Sequence, residues 1–215
     1  MVASAHISDR PRCLIIACGA LAREIVTLQK QLGFDEKDIT LQCLPAGYHN
    51  TPVKIAPAVE GILERRRDEF DTVLIGYGEC GTGGALDAVL EKYDATRLPH
   101  AHCYEFFAGS PLFEDIIEDE IGSFFLTDYL VKNFDRLIFA GLGLDRFPHL
   151  RDAYFSNYKN VVYLAQTENA ELKEQAAIAA ERLGLSFVYK FVGFGDLADA
   201  IAELKPKHGA AHVSG

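Results

Sequence analysis

The chain has 215 residues, 49% hydrophobic and 24% charged, with a formal net charge of −10. That size and balance suit a sizeable core arranged as one large domain or as two small halves around a cleft. The excess of acid repels a phosphate backbone, so nucleic acid is excluded as a partner. No apolar stretch reaches the ~20 residues that cross a bilayer, and the opening MVASAHISDRPR lacks the apolar centre of a signal peptide. Five cysteines, without the density of a secreted scaffold, point to reduced thiols and a cytoplasmic location.

Strand-length apolar runs alternate with longer helical patterns from end to end, the signature of βαβ units. The first unit pairs a strand over Cys13–Cys18 with a helix near Leu21–Leu32, where Leu21, Ile25, Leu28 and Leu32 recur at helical spacing and Gly33 supplies the stop. A second strand over Ile39–Leu44 leads through PAGYHNTP to a helix near Val53–Arg67, which Pro52 is suited to open. Arg65, Arg66 and Arg67 precede Asp68 and Glu69 and read as a solvated, charge-paired face.

A third strand over Thr72–Gly76 empties into YGECGTGG, and a helix near Ala85–Tyr93 leads to a short strand around Thr96–Pro99. The stretch 111–133 is less regular and reads as a crossover or hinge. Glu114, Asp115, Glu118, Asp119 and Glu120 form a solvated acidic helix face, while Phe124, Phe125 and Tyr129 either wall a cleft or pack as core. Further on, a strand over Leu137–Ala140 ends in the tight turn GLGLD. Then come a helix near Phe147–Tyr158, a strand over Asn160–Ala165, a helix over Glu168–Leu183, a strand over Ser186–Phe191 and a helix over Leu197–Leu204.

The expected architecture is α/β, with one or more Rossmann-like parallel sheets flanked by helices. One α/β domain spans 11–206, divisible into halves 11–110 and 134–206. The tails 1–10 and 207–215 read as disordered.

Cys18, Cys80 and Cys103 sit where buried strands run out of hydrophobic residues. The carboxyl rim of an open α/β sheet is where such folds place their chemistry. Cys80 lies in a turn whose Gly78, Gly81, Gly83 and Gly84 allow positive φ and close approach of a cofactor, next to a helix start that offers unpaired N–H groups. A thiol in such a place is expected to have a lowered pKa, which suits a nucleophile or a metal ligand. The turn is neither a Walker A loop nor the GxGxxG of a nicotinamide fold.

His102 and Cys103, in the run His100–Ala101–His102–Cys103, add imidazole and thiolate donors of the kind zinc prefers. His49, in the loop after the second strand, lies at the same rim. Cys13 and Cys43 fall inside strand runs and read as small core residues. No GxSxG is present, and a Cys80–His102 nucleophile pair has no support from spacing.

The ordered set CGALAREI from Cys18, YHNTP from Tyr48, GYGECGTGG from Gly76, and the Cys103 segment leading into FFAGSP and FFLTDYL resembles DUF1638, an α/β family of unknown function. The resemblance runs from about Leu14 to Leu204, departing at Thr82, where asparagine is expected, and at the start of PHAHC, where arginine is expected. It implies association with corrinoid proteins and with methyltransferases that demethylate methylamines or betaines. It also implies Cys18, His49, Cys80 and Cys103 as the positions that matter.

Three functions remain open on the sequence. One is a zinc site of Cys18, Cys80 and Cys103 with His49 or His102, supporting corrinoid-linked methyl transfer; an iron–sulfur cluster on the three thiols competes with it. Another is a non-catalytic accessory that binds a corrinoid, a tetrapyrrole or a partner protein. The third is a hydrolase with Cys80 as nucleophile.

Overall fold

The computed structural model describes residues 12–205 except 36, 120 and 121. Two parallel sheets carry the fold. In the first, β2 (Ile39–Leu44), β1 (Cys13–Cys18), β3 (Thr72–Gly76) and β4 (Thr96–Arg97) lie in that spatial order. In the second, β6 (Asn160–Ala165) lies between β5 (Ser123–Thr127) and β7 (Ser186–Phe191). Register brings Cys18 beside Leu44 and Ala17 beside Gly76, so the first-sheet strands end together at one rim.

The central strands are buried on both faces, which explains their unbroken apolar runs. Leu14, Ile16, Val73 and Ile75 point to α2 (Ile55–Arg66) and α3 (Ala85–Tyr93). Cys13, Ile15, Ala17 and Leu74 point the other way, to α1 (Ala22–Gln31), α4 (Cys103–Ala108) and the C-terminal helix α9 (Gly195–Glu203). In the second sheet, Val162 and Leu164 meet Phe113 and Ile116 of α5 (Ser110–Asp119). Val161 and Tyr163 face α6 (Asp128–Lys132), α7 (Leu150–Phe155) and α8 (Ala170–Leu183).

α9 follows β7 in sequence yet packs Leu197 and Ile201 into the first sheet's core. A polar clamp secures it. His100 Nε2 lies 2.7 Å from Asp196 on α9, and His100 Nδ1 lies 3.2 Å from Ser110 Oγ and 3.2 Å from Glu105.

Several sequence expectations are corrected. No strand forms over 137–140. Asp135–Phe139 winds instead as a π-helical turn, with the Arg182 guanidinium 4.0 Å from the Phe139 ring and bonded to Asp135. The strand that starts the second sheet is β5, inside the stretch read as irregular crossover; Gly122 before it takes positive φ.

Cys43 is exposed, not core, because β2 is an edge strand. Cys13 is buried as expected. Glu114, Asp115 and Glu118 are exposed on α5. Of the arginine run, Arg66 pairs with Glu69, whereas Arg67 turns inward to the carbonyls of Phe70 and Tyr93. Glu120 and the expected tails 1–10 and 207–215 lie outside the described residues.

Candidate functional site

A cleft opens where the carboxyl ends of the two sheets approach one another. It holds about 680 Å³ of empty space, solvent mouth included. Cys18 closes β1 at its edge, and Gly47 and His49 come from the 3-10 turn after β2. Cys103, Tyr104 and Phe107 descend from α4, while Thr127 and Gln166 stand at the ends of β5 and β6. The π-helical turn adds Leu137 and Ile138, so the corrected segment supplies much of the apolar wall. Irregular helical turns of this kind recur at functional sites. Tyr129 lines the cleft, whereas Phe124 and Phe125 stack as core against Phe155 and Phe113.

The sequence-selected donors divide into two groups. Cys18, His49 and Cys103 line the cleft; Cys80, His102 and the four glycines do not. The three thiols nevertheless share one neighbourhood, since Cys103 feels the charge of Cys80 and Cys18, and Cys80 that of Cys18. The Tyr77 hydroxyl is buried against the Cys18 thiol without a well-aligned partner. His49 is close enough to His102 for the two to interact.

The glycine turn behaves differently from its sequence reading. The chain's own Glu79 carboxylate accepts the N–H groups of Gly81 at 2.8 Å and Gly84 at 3.3 Å, and the Thr82 hydroxyl at 2.9 Å. These contacts hold the Glu79 pKa below the usual carboxylate range. The N–H groups expected to stand unpaired there for a ligand are therefore bonded from within the chain. Gly78 is required for close packing, because a Cβ there would lie 2.8 Å from the His100 carbonyl oxygen.

Cys80 takes a left-handed backbone, φ 51, which is uncommon outside glycine. The expected lowering of its pKa is overturned. α3 starts five residues later, the nearby N–H groups belong to Glu79, and burial pushes the thiol up to about 11. Burial likewise raises Cys18 and Cys103. At the mouth, His49 is lowered by desolvation and then by His102.

The thiol and imidazole chemistry of these donors suits zinc, but their placement does not. Among the described residues no group of three His, Cys, Asp or Glu side chains is compact enough to hold a metal ion.

Two features escaped the sequence reading. Glu24 of α1 lines the cleft at 6% exposure, and its Oε2 has no hydrogen-bond partner. Its signal was a charged residue on the apolar face set by Leu21, Ile25 and Leu28. The second is Asp128, 1% exposed, which joins the ends of β5 and β6 behind the rim. It accepts the Tyr163 hydroxyl at 2.7 Å, the Gln166 N–H at 3.0 Å and the Thr167 hydroxyl at 2.5 Å. Its own N–H donates to Gln166 Oε1 at 2.8 Å, which fixes that side chain at the cleft edge.

Fold and site thus define an α/β protein with two Rossmann-like sheets whose carboxyl ends share a thiol-bearing cleft. The profile described as "Protein of unknown function (DUF1638)" matches residues 43–201, well over half of the chain, and the chain belongs to that family. A stretch of 79 residues, 35% of the chain, is 33% identical to "Glycerol-3-phosphate dehydrogenase, mitochondrial" of Mesocricetus auratus. It spans 11% of that protein's length. No solved structure matches the chain. Among the described residues no helix is long and apolar enough to cross a membrane.

Proposed function

We propose that the protein holds a small, mostly apolar molecule between its two sheets, as an accessory to corrinoid-linked methyl transfer in one-carbon metabolism. The observation that carries the binding is the cleft, which meets the carboxyl ends of β1, β2, β5 and β6. Open α/β sheets place ligands outside those ends, and the walls here are mostly apolar, as small-molecule sites commonly are. The methyl-transfer setting rests on the resemblance implied by the motifs. A whole corrinoid is too large for the cleft and would stay on a partner protein at its mouth.

Titration of isotope-labelled protein with isopropylbenzene tests the cleft directly. Amide shifts are expected at Thr127, Tyr129, Leu130 and Gln166 and are abolished by a cleft-filling Ala20→Trp. Shifts elsewhere, or none, overturn the reading. Titration with hydroxocobalamin alone should leave its visible spectrum unchanged; a spectral shift would place the corrinoid on this chain.

A second reading is favoured by the gathering of Cys18, Cys80 and Cys103. It makes the rim a zinc or iron–sulfur site, with His49 or His102 as a further donor. Bound zinc would supply Lewis acidity and stabilise thiolates. The strained Cys80 turn would have to move for the sulfurs to close on an ion. Metal analysis of anaerobically purified protein tests it, with colour separating iron–sulfur from zinc. Loss of metal in Cys18→Ala, Cys80→Ala and Cys103→Ala is expected; full occupancy in all three, or none in the zinc-dialysed wild type, overturns it.

A further inference from the structure

Glu24 lines the cleft with a buried oxygen that the fold leaves without a partner. It lies in the first turn of α1, wedged between Leu21 and Leu28 on the buried face. Its Oε2 faces no donor and no acceptor, although it is shut away from bulk water. A buried polar atom without a partner costs about 1–3 kcal/mol, and native proteins keep such atoms rarely. The surroundings do not offer relief. Among the described residues no lysine or arginine lines the cleft. The charges that reach Glu24 are those of Lys132 and Asp128 on α6 and Arg23 on its own helix.

Every cleft-lining titratable group with a displaced pKa moves toward its uncharged form. Burial raises the Glu24 carboxyl, outweighing its own backbone N–H and the Lys132 charge. Burial raises the Cys18, Cys103 and Tyr104 protons as well, and desolvation lowers His49. A charged ligand would therefore enter a site with no counter-ion. An uncharged one would meet apolar walls and a carboxyl with one unpartnered oxygen.

We infer that Glu24 is the recognition group of the cleft, and that the ligand is an uncharged, largely apolar molecule bearing a carbonyl-type oxygen that accepts a hydrogen bond from it. The inference rests on the cleft reading above and adds the substrate class. The carboxyl O–H donates to the ligand oxygen, and Leu137, Ile138 and Phe107 cover the apolar body. No bond is made or broken in this step. Glu24 binds and orients.

Four probes of similar size test the inference: acetophenone, isopropylbenzene, benzoate and benzylammonium, each titrated by protein-observed NMR into wild type, Glu24→Gln and Glu24→Leu. Circular dichroism and urea titration establish that each variant is folded. Acetophenone should bind wild type about three- to tenfold more tightly than isopropylbenzene, the worth of one net hydrogen bond. Glu24→Gln, a neutral donor, should keep that preference, and Glu24→Leu should lose it while still binding isopropylbenzene.

Equal preference in wild type and Glu24→Leu overturns the role of Glu24 and leaves the cleft reading intact. Tighter binding of benzoate or benzylammonium overturns the neutral-ligand class. Failure of isopropylbenzene itself to bind overturns the cleft reading.

Discussion

Asp128→Ala is the substitution whose cost the structure specifies most fully. The carboxylate is 1% exposed and receives three donors, Tyr163 Oη, the Gln166 N–H and Thr167 Oγ1. Tyr163 is fully buried and Gln166 is 3% exposed, so neither regains water when the acceptor goes. Thr167 is exposed and does. Two stranded donors at about 1–3 kcal/mol each, with a smaller loss at Thr167, place the destabilisation at about 3–5 kcal/mol. For a chain of this length, at about 2–4 °C per kcal/mol, the melting temperature should fall by about 6–20 °C. Urea unfolding should show a lower midpoint with an unchanged slope, and Tyr163→Phe should cost about 1 kcal/mol. The two substitutions should be strongly non-additive, because they remove one shared bond. A loss below about 1 kcal/mol for Asp128→Ala would refute the view that this carboxylate ties β5 to β6.

The Glu24 carboxyl has its pKa raised above 4.5 in the folded state, so folding takes up a proton as pH rises past the unfolded value. Stability should fall between the unfolded and folded pKa and level off above it, and Glu24→Gln should flatten that slope in urea midpoints measured from acid to neutral pH. Iodoacetamide followed by mass spectrometry should label Cys43 first, because it is exposed while burial holds the Cys80 thiol up to about 11. Cys80 or Cys103 reacting first would contradict that order. Gly78→Ala drives a Cβ to 2.8 Å from the His100 carbonyl oxygen and should cost about 1–3 kcal/mol by urea titration, the usual penalty of overpacking. An unchanged midpoint would show that the segment yields freely.

Helical and strand periods were readable where one pattern ran alone. α3 coincides with the expected Ala85–Tyr93, and five of the seven expected strands match their expected spans. The failure at 137–140 has a physical cause: a short apolar run suits a buried strand and a buried helical turn equally. Aromatic stacking on Arg182, 42 or more residues distant, selects the turn. β5 was legible in principle, as SFFLT between Gly122 and Asp128, but the acidic helix before it masked the change of period. In the site, the cysteines were visible from their places at strand ends. Glu24 was visible only as one charged letter on an apolar helix face.

The sequence by itself determined the alternation of strands and helices and the burial of the central strands, and it placed Cys18 and Cys80 at strand ends. These follow from local period and from the short connections of βαβ units. That β1 and β3 are neighbours came from the structure. Tertiary structure decided which thiols face the cleft, that α9 returns to the first sheet, and that Glu79 fills the glycine turn. It also decided that Glu24 Oε2 is left without a hydrogen-bond partner. Such outcomes depend on pairs such as His100 and Asp196, 96 positions apart and 2.7 Å from one another. No local pattern encodes a contact of that separation, because it exists only once both sheets have packed.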